Sequence, residues 1–155
     1  TNNKATKITE LRLKAAGFHL LHNRSVRLTD PRRSLDFVLA GVEDVTEAEP
    51  RLAETLAEIC DETPLLLLSH NPDILSCPEI ERVDVVLAGH THGGQIVVPF
   101  WGPAHTQSWH LKRSQVAGYF RRGRTHVYIT RGVGEGIPFR LNAPPQIALI
   151  TLLPE

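Results

Sequence analysis

The fold is decided by the stretch Val83-Asp84-Val85-Val86-Leu87-Ala88-Gly89-His90-Thr91-His92-Gly93-Gly94-Gln95-Ile96. Its apolar first half predicts a buried strand, and a glycine then ends the strand and leads into a His-x-His turn. Neutral imidazole is a common ligand of zinc, iron and manganese, and two histidines two residues apart on extended chain can point to the same side. Gly93 and Gly94 let the backbone come close to a metal or an oxyanion. The simpler alternative is a turn with two solvated histidines.

A related pattern stands upstream, in Thr63-Pro64-Leu65-Leu66-Leu67-Leu68-Ser69-His70-Asn71-Pro72-Asp73. An apolar strand again ends at a histidine, and residues 71–82 are long enough for one short helix. The unit predicts strand, helix and parallel strand, so that His70, His90 and His92 lie at the same edge of a sheet. Ligands commonly bind at this edge in α/β folds. Alternatively, His70 only caps the following turn, since His-Asn-Pro is also favourable in turns.

Four motifs in this order resemble those of the calcineurin-like metallophosphoesterases. They are Ser69-His70-Asn71-Pro72-Asp73, Leu87-Ala88-Gly89-His90-Thr91-His92-Gly93-Gly94-Gln95-Ile96, Thr130-Arg131-Gly132-Val133-Gly134 and Asn142-Ala143-Pro144-Pro145-Gln146. The match runs over nearly the whole chain. It is most similar to the bacterial branch of YkuE-like and YaeI-like phosphodiesterases.

The resemblance implies an α/β (α+β) fold, half of a four-layer αββα sandwich, with a binuclear metal centre at the sheet edge. His70 and His90 would ligate one divalent ion and His92 the other. The ions would be manganese, iron or zinc, because ligand types alone do not select among these metals. A hydroxide that bridges the ions would attack the phosphorus of a phosphoester, and a phosphodiester is favoured by the branch.

Arg131 and Arg140 are weaker candidates for contacts to the substrate phosphate. A guanidinium matches the geometry of phosphate oxygens, and Arg131 follows a strand directly. A structural ion pair is the alternative for each. Gly93 and Gly94 join this substrate-binding set through their backbone.

Several motifs of the resembled family are missing from the sequence. Its members carry Asp-x-His, Gly-Asp-x-x-Asp and Gly-Asn-His-Asp strings, and none of these occurs in residues 1–155. We therefore expect residues 1–155 to be the carboxyl-terminal part of a single domain whose amino-terminal half is absent. We expect this chain alone to be inactive, with the missing half or a second copy as partner. The alternative is a non-catalytic module that associates with such a half or with itself.

Composition excludes several classes of function. Seventeen basic and seventeen acidic residues give a formal net charge of zero, so a nucleic-acid partner is not required. No apolar run reaches the roughly 18 residues that span a bilayer. Localisation stays open between the cytoplasm and an association with the membrane or cell envelope through the missing amino-terminal region. The motifs of cupins, metallo-β-lactamases, serine hydrolases and nucleotide-binding loops are also lacking.

Periodicity predicts the remaining elements. We expect helices at 4–16 and 47–60, short paired strands at 18–21 and 25–28, a strand at 35–42, a returning strand at 95–98, paired strands at 116–120 and 125–130, and a final strand at 146–153 that closes the second sheet. Residues 99–110 form a long loop that we expect to shape substrate access. We expect His105 and His110 to be solvated, whereas Trp101 and Trp109 either wall a pocket or cover the sheet edge.

Overall fold

The computed structural model of the chain describes residues 4–33, 35–134 and 138–153. It has two α-helices, eight strands and several short 3-10 turns in these residues. The helices and strands are α1 (Lys4–Ala15), β1 (Arg24–Asp30), β2 (Leu35–Gly41), α2 (Leu52–Leu56), β3 (Leu65–Leu68), β4 (Val85–Ala88), β5 (Val97–Val98), β6 (Gly102–Pro103), β7 (Gly118–Arg122) and β8 (Thr125–Ile129). No helix of the described residues is both long enough and apolar enough to cross a membrane.

A six-stranded mixed sheet in the order β1-β2-β3-β4-β8-β7 organises the chain. The four central strands run parallel to one another, and the outer strands β1 and β7 are antiparallel to their neighbours. The carboxyl ends of the parallel strands therefore lie at one edge of the sheet. This mixed α/β architecture agrees with the expected half of a sandwich.

One face of the sheet carries the hydrophobic core. Alternate residues of the four central strands are buried there and pack against α2 and against 3-10 turns at Pro72–Ser76 and Pro78–Arg82. The side chains that these helical segments contribute to the core are Leu52, Leu56, Ile74, Leu75 and Ile80. Successive side chains of a strand point to opposite faces, so the remaining residues of the same strands face the other way.

That opposite face lines an open groove of about 1410 Å³. Leu39, Leu68, Leu87 and Tyr128 from the four central strands contribute to its lining. These positions are partly or largely exposed. The strands β5 and β6 form a separate two-stranded sheet, which contributes no described residue to the lining of this groove.

Most of the expected elements are confirmed, with shifts of one or two residues at their ends. They are the first helix, the strand at 35–42, both strands around the histidines, and the paired strands β7 and β8. The helix expected at 71–82 is instead two 3-10 turns. Pro72 and Pro78 each begin one of them, since proline removes a helical donor and disfavours helix in the residue before it.

Three other expectations are wrong. The helix expected at 47–60 is reduced to Leu52–Leu56, because Pro50 disfavours helical backbone in the residue before it. Residues 18–21 are not a strand, and β1 pairs with β2 across the turn at Pro31–Arg33. Residues 146–153 belong to no strand, and Ile147 and Leu149 are almost fully exposed. A strand needs a hydrogen-bonding neighbour, and this segment finds none in the described sheet.

A candidate metal centre at the sheet edge

The parallel register of β3 and β4 brings the two histidine turns together. Leu68 lies opposite Leu87, and the ladder continues beyond the strands. The Ser69 amide donates to the Leu87 carbonyl at 3.1 Å, and the Gly89 amide donates to the His70 carbonyl at 3.0 Å. These bonds fix the backbone on either side of His70 and next to His90.

The His70 and His90 side chains meet at this edge. His90 Nδ1 lies 3.4 Å from His70 Nε2. The ring centroids are 5.2 Å apart and the rings are nearly perpendicular, at 80°. His70 is exposed and His90 is half-buried, so the pair faces a site that solvent and small ions can reach.

A strained and tightly bonded turn positions His92. His90 and His92 have φ angles of 65° and 51°, which are uncommon for residues other than glycine and are often found at functional sites. The turn is anchored by Thr91, which is completely buried and whose hydroxyl donates to the Val116 carbonyl at 2.6 Å. His92 Nδ1 is buried and has no hydrogen-bonding partner among the described residues. A buried polar nitrogen in this condition is uncommon, because an unmade hydrogen bond costs stability.

The electrostatics of the edge favour a neutral His70. The His70 side chain is exposed at its surface but partly desolvated by its neighbours, and this desolvation lowers its pKa below the usual value, while Asp44 acts to raise it and the other two histidines act to lower it further. Neutral imidazole is the form that ligates a metal. Partial burial acts to raise the pKa of Asp44, but hydrogen bonds from Thr46 and the proximity of His70 and His90 lower it overall.

Asp44 was not predicted as a site residue, although its place after a parallel strand is equivalent to that of the histidines. It follows β2 by three residues, and β2 is the parallel neighbour of β3. The histidines were predicted because ligands tend to lie just after the carboxyl ends of parallel strands, and the same reasoning applies to this carboxylate.

The described residues hold a histidine pair rather than a complete metal site. Among residues 4–33, 35–134 and 138–153, no group of three or more His, Cys, Asp or Glu side chains is arranged to hold a metal ion. His105 and His110 are exposed and lie in the long loop, as expected. Cys60 and Cys77 are free thiols.

Comparisons with curated proteins agree with the motifs. The chain is 32% identical over 150 residues to the uncharacterized metallophosphoesterase YkuE of Bacillus subtilis, covering 95% of this chain and 51% of the relative. It is 34% identical over 141 residues to the phosphodiesterase YaeI of Escherichia coli, covering 91% and 50%. It is 31% identical over 151 residues to the UDP-2,3-diacylglucosamine pyrophosphatase LpxG of Chlamydia trachomatis, covering 92% and 44%.

The chain belongs to the metallophosphoesterase family. It spans about half the length of the curated relatives it matches. No protein-family model matches the chain, and no solved structure does.

In this metallophosphoesterase chain, Arg131 lies over Gly93 of the histidine turn. A Cβ added to Gly93 would come within 2.7 Å of Arg131 Cγ, so the arginine packs directly on the bare backbone. Arg131 Nε is buried and has no partner among the described residues. The Gly94 amide, by contrast, already donates to the Thr91 carbonyl at 2.7 Å. Gly94 contributes close packing, because a Cβ there would lie 2.3 Å from Pro103 Cβ.

Arg140 has a structural environment. Its guanidinium donates to the carbonyls of Arg131, Gly132, Gly134 and Ala143 at distances between 2.6 and 3.4 Å. These bonds hold the segment after β8 in place. They favour the structural alternative over a contact to phosphate.

Asp73 ties the long loop to the histidine edge, a role that sequence reasoning missed. Its backbone amide donates to Asn71 Oδ1 at 2.9 Å. Its buried carboxylate accepts hydrogen bonds from the Ser108 hydroxyl and from the Trp109 amide. A carboxylate three residues after His70 therefore holds the long loop close to the histidine edge.

Proposed function

We propose that this chain supplies the histidine ligands of a binuclear metal centre in a phosphoester hydrolase, most simply a phosphodiesterase. The observation that carries the proposal is the His70–His90 pair, whose facing nitrogens are 3.4 Å apart. Two nitrogens bound to one tetrahedral ion at about 2.0–2.1 Å lie roughly 3.4 Å from each other. The separation therefore fits joint ligation of one ion.

His92 is proposed as a ligand of the second ion. Its buried Nδ1 lacks a hydrogen-bonding partner in the described residues, and a metal ion or an ordered group would relieve that cost. Manganese, iron and zinc all accept imidazole ligands. Divalent ions bound there would act as Lewis acids toward phosphoryl oxygens and would activate water.

The chain's own residues would prepare and orient the reacting groups. The lowered pKa of His70 keeps its imidazole neutral, ready to ligate, near neutral pH. Arg131 would bind a phosphoryl oxygen, because its Nε is unpartnered and its side chain packs on the Gly93 turn. The relatives named a phosphodiesterase and a UDP-2,3-diacylglucosamine pyrophosphatase support phosphorus–oxygen bond hydrolysis as the reaction.

The remaining ligands would come from a second part of the complete enzyme that covers the open face of the sheet. The groove of about 1410 Å³ on that face supports this arrangement, as does the coverage of only half of each relative. An uncovered apolar sheet face of this size favours association. The alternative, a non-catalytic module that self-associates through the same face, predicts a stable homodimer without phosphatase activity.

The experiment compares metal content and turnover. We would measure bound Mn²⁺ and hydrolysis of bis-p-nitrophenyl phosphate for the 155-residue chain, alone and mixed with the amino-terminal half of a relative such as YkuE. We expect metal binding but little turnover alone, and turnover after complementation. Vigorous hydrolysis by the lone chain would contradict the proposed division of ligands. Light scattering of the lone chain shows whether it forms a homodimer.

Matched histidine variants test the ligand assignment. In the complemented enzyme, His92→Ala should abolish turnover while circular dichroism shows an unchanged fold. His110→Ala is the control, because that histidine is exposed in the long loop. Equal metal content and turnover in both variants would disprove the role of His92.

A further inference from the structure

The loop beside the histidine edge exposes large aromatic side chains. We call residues 96–115 the aromatic loop. Phe100 and Trp109 are almost fully exposed, at 111% and 90% relative accessibility, and Trp101 is 61% exposed. Phe100 occupies the turn between β5 and β6 with a φ of 65°, and the Trp101 amide closes the turn on the Val98 carbonyl at 3.2 Å. Exposed aromatic groups of this size are typical of binding surfaces.

Two cationic side chains accompany these rings. Lys112 and Arg113 are exposed, and the Arg113 guanidinium lies 4.4 Å from the centre of the Trp101 ring. The charge of the aromatic loop is one-sided. The loop contains two basic residues and no Asp or Glu, although the whole chain is neutral. A positive potential beside exposed aromatic rings complements an anionic surface.

The aromatic loop is held firmly against the rest of the protein. Pro103 packs on the bare backbone of Gly94. The Val97 amide donates to the Leu141 carbonyl at 2.9 Å, and the Trp109 amide donates to Asp73 at 3.1 Å. Asp73 itself is buried and engaged with Ser108 and Trp109, so it does not present its charge to the outside. The rings and the cations are therefore presented by a fixed backbone next to the histidine turns.

We propose that the aromatic loop docks on an anionic lipid surface. Phe100 and Trp101 enter the boundary between headgroups and acyl chains, where aromatic side chains are favoured. Lys112 and Arg113 face the lipid phosphates, where each basic residue adds to the attraction. Docking in this way brings the histidine edge close to the headgroups.

The uncovered sheet face does not explain these aromatic side chains. None of the described residues that line the groove on that face belongs to the aromatic loop. The groove is lined largely by aliphatic side chains of the strands and of the segment after α1, which is suited to packing. The aromatic loop combines rings with cations, which is the pairing that anionic bilayers select.

Intrinsic fluorescence tests the proposal directly, because Trp101 and Trp109 are the only two tryptophans of the sequence. The protein, purified with any chain that accompanies it, is mixed with phosphatidylcholine vesicles or with vesicles that also contain phosphatidylglycerol. We expect a blue shift of the emission and co-sedimentation with the anionic vesicles, and loss of both at high salt.

Variants separate the two components of the surface. Phe100→Ala should weaken binding to anionic vesicles at least about tenfold, because it removes most of the apolar area that this side chain would bury in the bilayer. Lys112→Gln with Arg113→Gln should weaken it about fivefold for each charge removed. Arg121→Gln with Arg122→Gln is the matched control. It removes the same charge from the end of β7 at the opposite edge of the sheet, and binding should stay within about twofold of the unmodified protein.

Several results would overturn the proposal. Unchanged emission and no co-sedimentation would mean that the surface does not meet lipid. Emission that is already blue-shifted before vesicles are added, and stays so, would mean that a protein covers the loop. Equal binding to neutral and anionic vesicles, or equal weakening by both charge-removing double variants, would refute the specific role of Lys112 and Arg113.

Discussion

Removing the Asp73 carboxylate should release the aromatic loop from the sheet. Asp73 is 6% exposed and accepts hydrogen bonds from the Ser108 hydroxyl and the Trp109 amide. Hydrogen bonds to a charged group contribute about 1.5–3 kcal/mol each, and donors left without a partner add a cost. Because Ser108 is only partly buried, water can replace some of the loss. We therefore expect Asp73→Ala to lower the free energy of unfolding by about 3 kcal/mol, and Asp73→Asn by about half as much.

Urea unfolding observed by two probes measures this effect. Tryptophan fluorescence reports on the aromatic loop alone, since both tryptophans lie in it, whereas far-ultraviolet circular dichroism reports on the helices and the sheet. The two transitions should coincide in the unmodified protein and separate in Asp73→Ala, with fluorescence changing at lower urea.

The control is Asp61→Ala. Its carboxylate is 77% exposed and pairs with Arg82 at 2.7 Å, so the cost should stay below about 1 kcal/mol. Coincident transitions in Asp73→Ala, together with a loss no larger than that of the control, would refute the anchoring role of Asp73.

Three further predictions concern the histidine edge. Gly94→Ala combines a φ of 82° with a Cβ placed 2.3 Å from a side-chain carbon of the neighbouring hairpin. It should lower the free energy of unfolding in urea more than Gly102→Ala, where φ is 90° and no atom lies within 4 Å; equal losses would disprove the close packing. Thr91→Val should cost about 1–2 kcal/mol and weaken Mn²⁺ binding in a calorimeter. The control is Thr125→Val, which also removes a buried hydroxyl bonded to a carbonyl. It should lose as much stability as Thr91→Val but should bind Mn²⁺ normally. Weakened Mn²⁺ binding in both variants would argue against a specific role of the turn. The third prediction concerns pH. Because partial burial lowers the pKa of His70, the metal-free folded state binds fewer protons than the unfolded state at acidic pH. The free energy of unfolding should therefore fall as the pH drops below about 6.5. His70→Gln should reduce that fall, and an NMR titration midpoint for His70 above the usual histidine value would contradict the assignment.

The central part of the fold could be predicted because its signals are local. An apolar run followed by a histidine occurs at the ends of both β3 and β4, and parallel strands align such ends by geometry. The positions of His70 and His90 therefore followed from the sequence once the two strands were identified. Their approach to 3.4 Å agrees with that reasoning.

Other features depend on contacts that a local pattern does not encode. Asp73 forms hydrogen bonds with Ser108 and Trp109, which lie 35 and 36 positions further along the chain. Its sequence neighbours alone therefore suggested only a turn. Arg140 was assigned a choice between phosphate and an ion pair, while the carbonyls it contacts depend on the path of the chain after β8. The segment 146–153 has the pattern of a strand, but a strand also needs a hydrogen-bonding neighbour, and this segment pairs with no strand of the described residues.

The short separation of His70 and His90 along the chain has a consequence for the order of folding. His70 and His90 are separated by 20 positions, and the polypeptide between them consists of one crossover and one strand. Contacts of such short sequence separation carry a small loop-closure entropy and tend to form early. A folding chain would thus present two imidazoles to a metal ion before β4 pairs with β8, because Val85 and its partner His126 lie much further apart along the chain. An ion captured at that stage would bias the remaining steps toward the native parallel pairing of β3 with β4.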